Sequence, residues 1–177
     1  MKTLTEHQDN PTSAEPIIRV KDLVKRFDGR AVLDGVNVDV QPGEMLVIMG
    51  GSGCGKSTLL RHMIGSFEPD LGRVELFGEN LADLKAEQLD ALRKRFGILF
   101  QSGALFNSMT VGENVALPLT EHTDLDSETI GIMVKIKLEL VGLREAEDLM
   151  PSEISGGMKK RAGLARAIAL DPEILFY

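Results

Sequence analysis

Short strand-like patterns dominate the first eighty residues of the chain. Residues 17–40 alternate apolar and polar positions around a turn signal at 28–29 (Asp-Gly), and valine occupies every second position of 36–40. This period of two is typical of half-buried strands. Residues 73–77 repeat the pattern and end at a glycine. The opening part of the chain is therefore predicted to hold several short strands joined by turns.

Two unbroken apolar runs have a different character. Residues 45–49 (Met-Leu-Val-Ile-Met) and 96–100 (Phe-Gly-Ile-Leu-Phe) contain no polar side chain. Runs of this length are typical of strands buried on both faces of a parallel sheet. We predict that both are buried strands.

A helical period takes over in other parts of the chain. Residues 58–64 predict a helix closed by Gly65, and residues 81–95 predict another. Residues 126–140 predict a third helix, with Ile132, Met133, Ile136 and Leu140 as an apolar stripe. Strands mixed with helices place the chain in the α/β class.

A phosphate-binding loop lies between the first apolar run and the first predicted helix. It fits the pattern G-x-x-x-x-G-K-[ST], in the strand–loop–helix setting that the motif requires. Glycines let backbone N–H groups approach phosphate oxygens, and the helix N-terminus adds partial positive charge. The lysine can reach the β- and γ-phosphates, and the serine hydroxyl can ligate Mg²⁺. The candidate nucleotide-binding residues are Gly50, Gly51, Ser52, Gly53, Cys54, Gly55, Lys56, Ser57 and Thr58.

A second candidate anion site lies about a hundred residues later. Ser155 is a plausible N-cap of the helix that follows, with Gly156 and Gly157 in its first turn. Taken alone, this segment would be read as an ordinary helix cap with a glycine hinge. The phosphate-binding loop upstream favours a nucleotide-binding role for it.

These two segments together resemble the ATP-binding subunits of ABC transporters. Residues 155–157 and the helix after them are similar to the signature motif Leu-Ser-Gly-Gly-Gln, with Ile154 in place of Leu and Met158 in place of Gln. Phe27 matches the aromatic residue that stacks on adenine, and Gln101 matches the glutamine that links the Mg²⁺ site to the membrane subunit. Residues 172–176 match the run into the Walker B strand.

A narrower resemblance is to the ATPases of Mla/Mce-type phospholipid transporters. It is carried by residues 99–106 (Leu-Phe-Gln-Ser-Gly-Ala-Leu-Phe), residues 114–119 and the methionine in the signature motif. That group moves phospholipids or other hydrophobic molecules across the bacterial envelope. Since an ATPase subunit of this kind need not touch the cargo, no substrate can be read from these residues directly.

The resemblance implies a fold and a mode of action. The fold is a P-loop NTPase of the ABC ATPase type, with a mainly parallel core sheet, an N-terminal antiparallel β subdomain and a helical subdomain at about residues 102–155. ATP and Mg²⁺ are the implied cofactors. Lys56 and Gln101 are assigned catalytic roles, and Ser57 and Gln101 are assigned to the metal. Phe27 is expected to stack on the adenine. The nucleotide of the partner copy is expected to be contacted by Ser155, Gly156 and Gly157.

The same resemblance implies partners. ABC ATPases bind ATP between two copies, with the loop of one facing the signature motif of the other. A homodimer in the ATP-bound state is expected, together with an integral-membrane permease and a lipid-carrier subunit reached through the complex. The subunit is then a peripheral protein at the cytoplasmic face of the bacterial inner membrane.

Composition agrees with this reading. The net charge of -7 argues against non-specific nucleic-acid binding, and a single cysteine excludes an internal disulfide. No apolar stretch reaches transmembrane length. Residues 1–15 are polar and are expected to be a disordered tail, which leaves 16–177 as the ATP-binding domain.

The chain ends in the predicted Walker B strand, before the carboxylates and the histidine that ABC ATPases use in hydrolysis. We therefore expect residues 1–177 to be C-terminally truncated, able to bind ATP and poor at turning it over. Two alternatives remain open at the level of sequence. One is a non-transport ABC ATPase, and the other is a nucleotide-binding fragment without turnover.

Overall fold

The structure is a computed structural model that describes residues 15–101 and 103–177. These residues form two compact units, which meet in sequence between Leu89 and Asp90. Each unit is described by itself. The expectation of a disordered tail at 1–15 concerns residues that, apart from Glu15, lie outside the described ones.

A four-stranded antiparallel sheet is the centre of the first unit. Its strands are β1 (Ile18–Phe27), β2 (Arg30–Val40), β3 (Leu71–Leu76) and β4 (Glu79–Asn80), in the spatial order β2-β1-β3-β4. Asp28 and Gly29 join β1 to β2 with φ of 49° and 78°. Positive φ at both central residues is the type I′ geometry that matches strand twist, and Asp-Gly is among its preferred sequences. The predicted strands and turn are confirmed.

One face of this sheet is apolar. Val20 and Leu23 of β1, Leu33 of β2 and Leu76 of β3 are almost fully buried. The helix α1 (Lys56–Met63) contributes the fully buried Leu59, and Gly65 follows it with φ of 67°. A glycine with positive φ just past the last turn is a common helix stop. The prediction that Gly65 closes this helix is confirmed.

The apolar run at residues 45–49 does not form the predicted buried strand. No regular structure is assigned to it, and Met45, Val47 and Met49 are 76%, 56% and 57% exposed. An apolar run becomes a buried strand only where neighbouring strands take its backbone hydrogen bonds and cover its faces. Within the described ranges, no strand pairs with these residues.

The predicted helix at 81–95 is also wrong in its extent. A short 3₁₀ turn (Leu81–Asp83) comes first, and Leu84 is extended at φ −82° and ψ 136°. The helix α2 (Ala86–Arg93) then begins anew, with Gln88 Oε1 accepting from Lys85 N at 3.0 Å. A side chain that reaches back to a backbone N–H in this way favours a new helix start.

The second unit pairs two short parallel strands and packs three helices. The strands are β5 (Phe96–Ile98) and β6 (Ile174–Phe176), and the helices are α3 (Val111–His122), α4 (Ser127–Leu140) and α5 (Gly156–Ala167). The predicted strand at 96–100 is thus parallel as expected, but two residues shorter. The buried cluster between the helices comprises Val111, Val115, Leu119, Val134, Leu138, Leu143, Ala146, Ile154, Ala162, Ala165 and Ala169.

Helix α4 buries only part of its predicted apolar stripe, since Met133 packs against the cluster while the other three residues are exposed. Val134, Lys137 and Leu138 are buried, whereas Ile132 and Ile136 are more than half exposed. The Lys137 ammonium forms an ion pair with Asp171, in the turn before β6. This pairing lets a lysine lie at a buried position that aliphatic residues would normally fill.

None of the helices in the described part of the chain is long and apolar enough to cross a membrane. The boundaries predicted for the domain at 16–177 and the helical subdomain at 102–155 stay predictions. The second unit contains α3 and α4 together with α5 and the strand pair.

Candidate functional site

The phosphate-binding loop ends where α1 begins. Gly55 is the N-cap, with φ of 97° and ψ of 4°, and no side chain of the described residues caps this helix end. A Cβ at Gly55 would lie 2.9 Å from Leu33 Cδ2 and 3.0 Å from Val32 O. Both its left-handed backbone and its close approach to β2 therefore require glycine. The first N–H groups of a helix have no intrahelical partner, so this end can receive an anion.

Lys56 turns back into its own loop. Its Nζ donates to Gly50 O and Gly51 O, each at 2.8 Å, and lies 3.7 Å from Cys54 Sγ. Neutral carbonyls are weaker partners for an ammonium than phosphate oxygens are. The Ser57 side chain, one residue further, is exposed. The loop therefore presents an exchangeable cation and a free hydroxyl within one turn of helix.

Cys54 has a packing role that its position in the motif did not show. A Cβ on Gly50 would lie 2.5 Å from Cys54 Sγ, so the half-buried thiol fills the space that the glycine leaves.

Phe27 is the last residue of β1 and is 42% exposed. Phe67 lies beside it, with ring centroids 6.1 Å apart and planes tilted by 59°. Lys25 Nζ is 5.8 Å from the Phe27 centroid. An exposed ring at a strand end can stack on a base; the role of Phe27 at the adenine stays a prediction.

Ser155 is the N-cap of α5, as predicted. Its backbone is extended, and its Oγ accepts from Met158 N at 3.2 Å. Gly156 and Gly157 form the exposed first turn, and a Cβ on Gly156 would meet nothing within 4 Å. Packing therefore does not require glycine at position 156, whereas close approach of a ligand to the backbone would.

The two departures from the signature motif are accounted for by packing. Ile154 is buried in the cluster between the helices, and Met158 is partly buried against it. Both side chains contribute apolar contacts inside the second unit. The polar glutamine of the usual motif is replaced here by a residue that helps hold the start of α5 in place.

Gln101 is exposed and lies three residues after β5. Parallel strands place ligand-binding residues beyond their carboxyl ends, and the position of Gln101 fits that rule. Leu99 N donates to Phe176 O at 2.8 Å, which extends the pairing with β6 almost to this residue.

Gly103, the second residue after Gln101, is fixed to α5. Gly103, with φ of 76°, packs so closely on the helix that a Cβ would lie 2.5 Å from Lys159 O. Gly163 faces it, and a Cβ there would lie 2.8 Å from Gly103 Cα. Arg166 Nη2 donates to Gly103 O at 3.0 Å, and burial lowers the pKa of the Arg166 guanidinium. The backbone at Gly103 is therefore in direct contact with the backbone of α5.

Asn114 is a structural determinant that the sequence did not reveal. It is fully buried in α3, its Oδ1 accepts from Phe106 N, and its Nδ2 lies within 3.2 Å of the carbonyls of Phe106, Met109 and Thr110. The available signal was an asparagine directly before the apolar run at 115–119, since buried amides need partners. Asn114 holds the whole turn before α3.

No group of three or more His, Cys, Asp or Glu side chains within 15–101 and 103–177 could hold a metal ion. His122 is exposed and is the last residue of α3, so its interpretation as a loop residue is wrong. His62 lies in α1 and is 1% exposed, with Nδ1 2.7 Å from Thr58 O. Ser57 and Gln101 fall in different units, and their joint assignment to a metal stays a prediction.

Comparison with known proteins gives concordant results. The family model "ABC transporter" matches residues 33–177. The chain is 47% identical over 161 residues to the intermembrane phospholipid transport system ATP-binding protein MlaF of Haemophilus influenzae, covering 91% of this chain and 61% of that protein. It is 46% identical over 158 residues to the probable ribonucleotide transport ATP-binding protein mkl of Mycobacterium leprae, covering 89% and 46%.

A solved structure supports the same fold. The ATP-binding cassette MJ0796, in a dimeric post-hydrolysis state bound to ADP and Pi, superposes with a TM-score of 0.81 at 30% identity, covering 89% of this chain and 72% of that one. The chain spans about three fifths of the length of the MlaF proteins it matches. The family model covers most of the residues, the two glycine motifs fall inside it, and the fold agrees. The chain belongs to the ABC transporter family, and its fold is that of an ABC ATPase cassette.

Proposed function

We propose that this chain is the ATP-binding part of an ABC transporter subunit that energises the transport of phospholipids or related hydrophobic molecules across the bacterial inner membrane. The observation that carries the proposal is the loop before α1. In this loop Gly55 has a left-handed backbone, no side chain of the described residues caps the start of α1, and the Lys56 ammonium donates to carbonyls of its own loop.

The loop residues would divide the work of holding a triphosphate. Backbone N–H groups at the start of α1 would donate to phosphate oxygens, aided by the partial positive charge of the helix end. The Lys56 ammonium would exchange its bonds to Gly50 O and Gly51 O for stronger, charge-assisted bonds to phosphate. Phe27 would stack on the adenine.

Magnesium suits the oxygen donors that accompany this loop. The Ser57 hydroxyl is exposed beside the lysine, and hydroxyl and phosphate oxygens are ligands that Mg²⁺ accepts. When bound, Mg²⁺ neutralises charge on the β- and γ-phosphate oxygens. Gln101 is proposed as a further ligand and as the link to the membrane subunit.

The proposed assembly has two copies of the chain. Ser155, Gly156 and Gly157 would contact the nucleotide held by the partner's loop, and the exposed, sterically open first turn of α5 supports this. A permease and, through it, a lipid-carrier subunit complete the complex. The subunit would then lie at the cytoplasmic face of the inner membrane.

The names of two relatives state different kinds of cargo. MlaF is described as a phospholipid transport protein, and mkl as a probable ribonucleotide transport protein. The two identities, 47% and 46%, are nearly equal. We favour phospholipid cargo because residues 99–106 and the methionine of the signature motif resemble the ATPases of phospholipid transporters.

Nucleotide binding by the intact protein tests the first part of the proposal. We expect Lys56→Ala to weaken Mg-ATP binding about 10- to 100-fold in titration calorimetry, since charge-assisted hydrogen bonds contribute roughly 1.5–3 kcal/mol. Lys94→Ala removes an exposed lysine after α2 and should leave affinity unchanged. Equal affinities for wild type and Lys56→Ala would contradict the proposal.

Cargo is tested on the purified complex in vesicles. ATP-dependent transfer of labelled phospholipid that is lost with Lys56→Ala would support lipid transport. Uptake of labelled ribonucleotide without lipid transfer would favour the alternative named by mkl. ATP binding without any permease in the purified material would favour a non-transport ABC ATPase.

A further inference from the structure

A second aromatic ring lies against Phe27. Phe67, in the turn between α1 and β3, is half-buried with its centroid 6.1 Å from that of Phe27. The buried His62 ring meets Phe67 edge-on at 5.7 Å, and the Arg61 guanidinium lies 5.2 Å from its centroid. Both His62 and Arg61 belong to α1, the helix that starts at the phosphate-binding loop. Phe67 thus lies between side chains of α1 and the ring of Phe27.

The turn that carries Phe67 is tied to the end of β1. Asp70 Oδ2 accepts from Arg26 N at 2.6 Å, and its Oδ1 accepts from Lys25 Nζ at 3.0 Å. Lys25 Nζ also donates to Glu68 O at 2.8 Å, and Asp70 N donates to Val24 O at 2.9 Å. The backbone bond from Arg26 and the bond from Lys25 hold the pKa of the Asp70 carboxyl below its usual range. Hydrogen bonds therefore hold the turn at residues 68–70 against the strand end at residues 24–26.

These contacts restrict the Phe27 ring. A phenylalanine with an exposed ring at a strand end can adopt several rotamers, and fixing one of them costs entropy when a base stacks on it. Here an edge-tilted neighbour removes part of that freedom beforehand, and aromatic pairs favour such tilted arrangements. The rings are too close and too inclined to hold a base between them, so a base must use another surface of Phe27.

We propose that Phe67 is a positioning residue for nucleotide-base recognition, acting on the base through Phe27. The inference rests on the proposed function, in which the base stacks on Phe27. It adds a residue outside the family motifs to the base site. Its consequence is that Phe67 should influence nucleotides that carry a base and leave base-free triphosphate untouched.

The test compares two ligands on the intact protein by titration calorimetry, Mg-ATP and inorganic tripolyphosphate. We expect Phe67→Ala and Phe67→Leu to weaken ATP binding about 2- to 10-fold, the range expected for losing one aromatic pair. Tripolyphosphate affinity should stay within about twofold of wild type. Phe67→Tyr keeps the ring and should restore ATP affinity. Phe77→Leu makes the same change in the β3–β4 turn and should alter neither ligand.

A double-mutant cycle separates action through Phe27 from independent action. Adding Phe67→Leu to Phe27→Ala should weaken ATP binding no further. A further loss in the double variant would overturn the inference, as would equal losses of ATP and tripolyphosphate in Phe67→Leu. If Phe27→Ala weakened ATP binding but Phe67→Leu did not, the inference about Phe67 would be overturned while the proposed function would stand. An intact protein that binds neither ligand would overturn the proposed function and the inference together.

Discussion

At the residue scale, two glycines in helices have opposite requirements. Gly163 of α5 lies so close to the backbone of Gly103 that a Cβ on Gly163 would be 2.8 Å from both Cα and O of Gly103. Gly131 of α4 has nothing within 4 Å of the place where a Cβ would be. Glycine is therefore needed for packing at position 163, whereas at position 131 it only lowers helix propensity.

We accordingly expect Gly163→Ala to destabilise the intact protein by roughly 1–3 kcal/mol, as over-packing does. Gly131→Ala is the matched control and should stabilise it by about 0.5–1 kcal/mol. Urea unfolding followed by circular dichroism measures both. If the two variants changed stability in the same direction, the close contact between α5 and Gly103 would be in doubt.

At the element scale, the start of α4 depends on a carboxylate. Asp126 is the N-cap, and its carboxylate accepts from Thr129 N at 2.9 Å and from Thr129 Oγ1 at 2.9 Å. The backbone bond from Thr129 first, and then the hydroxyl bond, hold the pKa of Asp126 below its usual value. A carboxyl whose pKa is lower when folded stabilises the fold above its unfolded pKa.

The contribution of Asp126 should therefore be complete above about pH 4 and disappear as the pH falls through its lower folded pKa. Asp126→Ala should lower the urea midpoint at pH 7 and bring it closer to wild type in acid. Asp126→Asn can still cap the helix but cannot titrate. At pH 7 it should therefore lower the urea midpoint by less than Asp126→Ala does. If the difference in urea midpoint between wild type and Asp126→Ala stayed constant from neutral pH into acid, it would contradict this account.

Local signals in the sequence predicted local structure well. The Asp28-Gly29 turn and the Ser155 cap could be read from the sequence because short side-chain and backbone preferences determine both. The run at 45–49 was predicted wrongly because burial of a strand depends on partners elsewhere in the chain. Asn114 was missed for a related reason, since its partners come from a turn whose conformation the asparagine itself maintains.

At the scale of the whole molecule, the proposed head-to-tail pair makes a prediction about mixtures. Lys56→Ala damages the loop, and Ser155→Arg places a bulky side chain in the exposed signature turn. In a mixed dimer, one composite site would contain both changes and the other would contain neither. Each variant alone would have no intact site.

We therefore expect ATP-dependent dimerisation of the intact protein to fail for either variant alone and to recover partly when the two are mixed. Sedimentation velocity with and without Mg-ATP measures it. Wild type diluted with each variant separately provides the control for partial occupancy. No recovery in the mixture would mean that the loop and the signature motif do not act across two chains.

The two tight turns of the first sheet also bear on the order in which the protein forms. Strands β1 and β2 are joined by Asp28 and Gly29, and β3 and β4 by Phe77 and Gly78, with positive φ at all four residues. Each hairpin closes a very short loop, and local contacts of this kind form fast. The pairing of β1 with β3 must instead enclose the phosphate-binding loop and α1. During synthesis, the first hairpin can therefore form before β3 is available, and the nucleotide-binding loop is enclosed only when β3 pairs with β1.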